Sequence, residues 1–177
     1  MQVVWDGLHK EIGSGWFRDG FLYLFGEAMD AFLPCLKAWS FMVPPCADRQ
    51  IIGRNAYGAL LVLDNSGSAD DECVNLLDPF TVTFGSIPDT HFVSLIGRAL
   101  PKVEIPTFLD DRAYRDWRLA NKVDRLELDD VLGIQVPSGL GGELVGDNLQ
   151  LDSMVEYYET TGPIYADAFA RIKPKGP

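Results

Sequence analysis

The stretch GIQVPSGLGGELVGDNLQL, residues 133–151, decides how this chain reads. A short apolar segment, 131–136, meets Pro137. Four glycines then fall between Gly139 and Gly146, and the loop closes on Asp147-Asn148 before apolar Leu149 and Leu151. Glycine at this density marks backbone with positive φ or a close approach to another group. One candidate for that group is phosphate. A P-loop needs G-x-x-x-x-G-K-[ST], whose amides and lysine cradle the anion. Gly141 and Gly146 have the spacing, but Asp147 and Asn148 follow, so an anion stands where the cation belongs. The dinucleotide fingerprint fails as well, because Leu144 occupies the third glycine position after Gly139 and Gly141. The alternative is a tight connection between two strands, with Asp147-Asn148 as a turn pair.

Outward from this loop, the pattern predicts one α+β domain with a small, mainly antiparallel sheet covered by helices. Residues 1–45 read as a helical N-terminal part and 46–172 as a sheet-and-helix core. Within 21–33, Phe21, Phe25, Ala28 and Phe32 fall at helical spacing, and Pro34 bends or ends that helix. Residues 56–63 are nearly all apolar and predict a buried strand; 73–77 and 81–84 predict two more, in a meander. Ser86 reads as the N-cap of a helix with a stripe of Phe92, Leu95, Ile96 and Ala99. Thr107 and Asp110 suggest another capped start. Ala113, Trp117, Ala120 and Val123 line the inner face of that helix; Arg112, Arg115, Arg118 and Lys122 line its outer face. The last helix begins near Asp152, carries Met154, Val155, Tyr158, Tyr165, Phe169 and Ile172 in rhythm, and is broken or kinked at Pro163.

The chain has 177 residues, 15 Lys and Arg against 26 Asp and Glu, and a net charge of −11. This argues against a nucleic-acid binder, which needs a basic patch to displace counterions, and against binding to anionic membranes. An acidic protein suits a basic partner, because complementary charge speeds encounter. Acidity for solubility alone is the competing account. The first residues carry no basic head followed by an apolar stretch, so no signal peptide is expected. Cys35, Cys46 and Cys73 are odd in number and form no CxxC pair; reduced thiols in the cytoplasm are the expectation, read as small buried residues.

Catalytic signatures are scarce. His9 and His91 are the two histidines, HExxH is absent, and no serine sits in a G-x-S-x-G frame. No metal, cofactor or catalytic residue is therefore expected. Two acidic clusters remain. Asp70, Asp71 and Glu72, near Asp64, form either a solvated turn or a projecting loop that meets a basic surface. Asp124, Glu127, Asp129 and Asp130 read as a solvated helix end. Tyr157 lies off the inner stripe of the last helix, which predicts an exposed ring available to a partner.

The run Pro137, Leu140, Gly141, Gly142, Asn148 and Leu149, a P-x-x-L-G-G block followed by N-L before a final helix, resembles a C-terminal signature. It is that of the Tdi-like, GAD-related immunity proteins, which guard bacteria against DNase effectors of the type VI secretion system. A second block, RNAYGALLVLD at 54–64, resembles the family's first core strand, with Tyr57-Gly58 opening the apolar run. The similarity spans roughly residues 40–170. It implies a cytoplasmic inhibitor that occludes a cognate toxin stoichiometrically, without chemistry. The resemblance names no contact residues. The expected partner surface is Asp70, Asp71 and Glu72 with the exposed rim of the 139–148 loop, including Glu143 and Asp147, and Tyr157. The rival expectation is an enzyme or small-molecule binder with a pocket of Glu143, Asp147 and Arg54.

Overall fold

The computed structural model describes residues 13–24, 27–46, 49–64, 73–91 and 107–172. The fold is α+β. Six strands form one antiparallel meander: β1 (Gly15–Phe17), β2 (Leu22–Leu24), β3 (Arg49–Asn55), β4 (Leu60–Asp64), β5 (Cys73–Asp78) and β6 (Thr83–His91), each paired with its sequence neighbour. A separate ribbon pairs β7 (Asp130–Ile134) with β8 (Leu149–Ser153). The helices are α1 (Leu33–Ala38), α2 (Arg112–Asn121) and α3 (Met154–Ile172).

Both faces of the central sheet are covered, which explains the unbroken apolar run in β4. Side chains alternate across a strand. Leu61 and Leu63 enter one core with Phe21, Ile52, Phe108, Leu109 and Tyr114. Leu60 and Val62 enter the other with Phe32, Trp39, Ile51, Met154 and Tyr158. A strand buried on both faces has no polar side to alternate with. The β7 strand serves both cores, with Val131 in one and Leu132 in the other.

Tyr57 and Gly58 sit in the β3–β4 turn, so the strand expected over 56–63 begins only at Leu60. The Asn55 side chain builds this turn. Its Oδ1 accepts from the Tyr57 and Ala59 amides at 3.0 and 2.9 Å, and its Nδ2 donates to the Phe108 carbonyl at 2.8 Å. Gly58 has φ +86°, a conformation that penalises a side chain. Its carbonyl accepts the buried Tyr158 hydroxyl at 2.7 Å, joining α3 to the turn.

The N-terminal part departs from the helical expectation. Leu22–Leu24 is a strand, zipped between β1 and β3. The aromatic spacing over 21–33 fits a helix, but tertiary pairing takes the first half of it. The second half is helical: Glu27–Phe32 forms a 3-10 helix that passes into α1, and Pro34 sits in the first turn of α1, where its missing N–H is not needed. Arg49–Asn55, unassigned from sequence, is a central strand. Ser86 is no N-cap. It lies inside β6 opposite Asn75, and its hydroxyl donates to Asn75 Oδ1 at 3.1 Å. His91 ends the same strand rather than entering a helix. The stripe expected over 92–99 lies outside the described residues. On α2 the inner face is Ala113 and Tyr114 with part-buried Trp117 packed beside them, while Ala120 is exposed. The last helix starts at Met154, because 149–153 pairs with β7 first. Pro163 stands within a continuous helical span.

Candidate functional site

The glycine loop is closed on itself by Asn148. Its Oδ1 accepts the Val136 amide at 2.8 Å, and its Nδ2 donates to the carbonyls of Val136 (2.8 Å) and Glu143 (2.9 Å). Gly142 lies so near Val136 that a Cβ there would stand 1.7 Å from the Val136 carbonyl oxygen. Gly141 has φ +87°. Gly139 and Gly146 face open space. Of the four glycines in the loop, one is required for close approach and one for its backbone angle. Pro137 and Leu149 are buried at the loop base.

The loop is also fastened to the sheet. Ser138 donates to the Phe80 carbonyl through its amide at 2.9 Å and its hydroxyl at 3.1 Å. The Phe80 turn is in turn held by buried Asp78, whose carboxylate accepts the Phe80 amide and the Thr81 hydroxyl, each at 2.9 Å. Burial raises the Asp78 carboxyl above the usual range, and these hydrogen bonds oppose the shift. A loop with this many internal ties is a rigid projection rather than a mobile strap.

What the loop projects is mixed. Leu140 is 77% exposed and Val145 is 46% exposed, with Glu143 and Asp147 exposed beside them. Exposed aliphatic side chains rimmed by polar ones mark an interaction surface more than a catalytic one. Between the loop and α2 runs a cleft of about 330 Å³, lined by Tyr57, Asp110, Arg112, Asp116, Leu144 and Val145. Arg112 and Asp110 are paired within it. The Tyr57 hydroxyl accepts the Tyr114 amide at 2.9 Å, which fixes its ring at the cleft wall.

The pocket of Glu143, Asp147 and Arg54 does not form. Arg54 is fully buried on β3, away from the loop rim. It donates to the Glu127 carbonyl at 2.9 Å and faces the rings of Trp16 and Phe32, at 5.3 and 5.7 Å from their centroids. Its Nε has no hydrogen-bond partner among the described residues. Burial lowers the guanidinium to about 10, with Asp130 and Asp129 opposing. Two aromatic faces and two backbone carbonyls, those of Glu127 and Asn55, take the place of a counter-ion.

Tyr157 is likewise not an exposed anchor. It is 5% exposed, and its ring fills the space that a Cβ on Gly133 would need. Its hydroxyl accepts the Ile134 amide at 3.3 Å. The β7–β8 ribbon covers the side of α3 that the helical stripe left unassigned. Asp70, Asp71 and Glu72 lie outside the described residues. Asp64, at the end of β4, binds Arg49 Nη2 at 2.7 Å and Asn75 Nδ2 at 3.1 Å. With Ser86 this makes a polar ladder across four strands that sequence spacing does not reveal. Asp124, Glu127 and Asp129 belong to the connection into β7 rather than to a helix end, and Asp130 opens that strand: its Oδ2 accepts the Glu127 amide at 3.0 Å. Cys35 is buried, as expected, and its thiol is raised to about 12 chiefly by that burial. Among the described residues, no three His, Cys, Asp or Glu side chains gather as a metal site, and no helix is long and apolar enough to cross a membrane.

The fold and this loop define an α+β domain that carries a rigid, glycine-built projection. Among known protein families and curated proteins, no sequence match is found. Among solved structures the chain is similar to Atu4351 from Agrobacterium tumefaciens. The two share 16% identity and a TM-score of 0.49, over 95% of this chain and 76% of that one.

Proposed function

We propose that this chain is a cytoplasmic immunity protein that binds a DNase toxin of type VI secretion and blocks it by stoichiometric occlusion. The observation that carries the reading is the glycine loop. It bears the residues of the immunity-protein resemblance, and it presents Leu140 and Val145 beside Glu143 and Asp147 on a backbone already tied in place. A pre-ordered loop loses little freedom on binding, so its apolar contacts go into affinity. The net charge of −11 draws a basic nuclease into encounter. Occlusion needs no reacting group on the inhibitor.

A small-molecule site is the second reading, favoured by the cleft between the loop and α2. Its volume of about 330 Å³ falls at the low end of ligand pockets. The two are separated by plasmid integrity in cells producing the candidate nuclease encoded beside this chain. Plasmid that survives only when this protein is co-produced, with co-purification of the pair, supports immunity. Plasmid loss regardless of its presence removes the reading.

A further inference from the structure

The acidic surface has a basic exception, on the opposite side of α2 from its buried face. A groove of about 410 Å³ runs between the β1–β2 turn and the C-terminal half of α2. Arg115, Arg118 and Arg125 line it, together with Trp16, Leu119 and Val123. Asp19 and Asp124 line it as well. Three features coincide there. Leu119 is 79% exposed, the most exposed large apolar side chain among the described residues. Four non-glycine residues among those described have positive φ, and three lie in or beside this groove: Arg18 (+53°), Asp19 (+55°) and Lys122 (+58°). Backbone held in that region costs energy and concentrates at functional sites. Finally, Arg125 and Lys122 are exposed cations that form no ion pair with any described residue.

The groove is built, not incidental. Arg118 crosses it to donate to the Asp19 carbonyl at 2.6 Å, and the Tyr114 hydroxyl donates to the same carbonyl at 3.3 Å. Asp111, buried at the head of α2, pairs with Arg18 at 3.4 Å and with Arg115 at 3.3 Å. These ties hold the strained turn against the helix and fix the spacing of the guanidinium groups. Trp16 stands between the groove and the buried Arg54, so its ring reports on both.

We propose that this groove docks an acidic peptide segment of a protein partner. Leu119, Val123 and Trp16 receive one apolar side chain, and Arg125 and Lys122 receive flanking carboxylates. Charge complementarity selects this occupant: the cations cluster here in a chain whose net charge is −11. A nucleic acid offers no aliphatic side chain to Leu119 and Val123, which makes it the competing occupant in the test. The proposal does not depend on the immunity reading, since the groove lies on a different face of α2 from the glycine loop's cleft.

The test is titration of the full-length protein with a fluorescein-labelled peptide of nine residues, alternating Asp and Glu around a central Leu. Saturable binding that weakens with salt is expected. Arg125→Glu should weaken it about tenfold, combining a lost pair with a like charge, and Leu119→Ser about fivefold. Both positions are exposed, so unchanged thermal unfolding accompanies the loss. A peptide with central Ser should resemble the Leu119→Ser result. Three outcomes overturn the proposal: no binding, equal binding to the variants, or tighter binding of a labelled single-stranded oligonucleotide.

Discussion

Alanine at each glycine of the 139–146 loop separates the roles that the structure assigns. Gly142→Ala places a methyl group 1.7 Å from the Val136 oxygen and 2.5 Å from its carbonyl carbon. Both atoms are backbone, so the loop must open by more than about 1 Å to reach ordinary contact. Opening pulls Val136 from Asn148, where two hydrogen bonds of 2.8 Å meet. Overpacking costs about 1–3 kcal/mol, and each bond lost at this half-exposed site about 0.5–1 kcal/mol. The expected destabilisation is about 2–5 kcal/mol, or a fall in Tm on the order of 5–20 °C for a chain of this length. Gly141→Ala strains one left-handed residue and costs about 1 kcal/mol. Gly139→Ala and Gly146→Ala meet nothing within 4 Å. They should lie within about 0.5 kcal/mol of the parent, or gain slightly from a stiffer unfolded chain. Urea unfolding followed by circular dichroism gives all four values. Equal midpoints for Gly139→Ala and Gly142→Ala would show that the loop does not close on Val136.

Three other outcomes are expected. Tyr157→Ala should destabilise the fold by about 3–5 kcal/mol, the range for a buried aromatic, where an exposed interface tyrosine would leave stability nearly unchanged; urea midpoints decide between them. Tyr158→Phe should cost about 1–2 kcal/mol by orphaning the Gly58 carbonyl, and amide exchange near the β3–β4 turn should quicken. The Cys35 thiol, raised to about 12 against an ordinary 9.0, keeps its proton in the folded state after the unfolded chain has lost it. The stability it contributes is complete below pH 9 and is lost as pH rises from 9 towards 12. The urea midpoint should fall across that window, less steeply in Cys35→Ala, and native Cys35 should resist alkylation at pH 8 while half-buried Cys46 reacts.

Which elements could be read in advance follows from where their partners lie. β4, β7 and α3 carry their own signal, because an apolar run or a helical stripe is local. The β3 strand does not. Its sequence, RQIIGRN, holds two arginines and an asparagine, and reads as polar. Their partners are Asp64, the Glu127 carbonyl and the Phe108 carbonyl, which only the fold supplies. Ser86 was legible as a cap because serine and proline often start helices, yet Asn75 across the sheet claims its hydroxyl. The glycine loop was visible as a constrained backbone, but not that Asn148 closes it or that Leu140 faces solvent. Tyr157 misled for a geometric reason: Gly133, on another element, clears the space into which its ring packs.

The most direct test of the account is a nuclease assay with purified components. The candidate toxin encoded beside this chain is titrated with this protein, and cleavage of plasmid DNA is followed. Immunity by occlusion predicts inhibition that is complete at one equivalent. Leu140→Asp should weaken it while leaving thermal unfolding unchanged, because that side chain is 77% exposed on the loop. Undiminished cleavage at saturating protein would contradict the central claim.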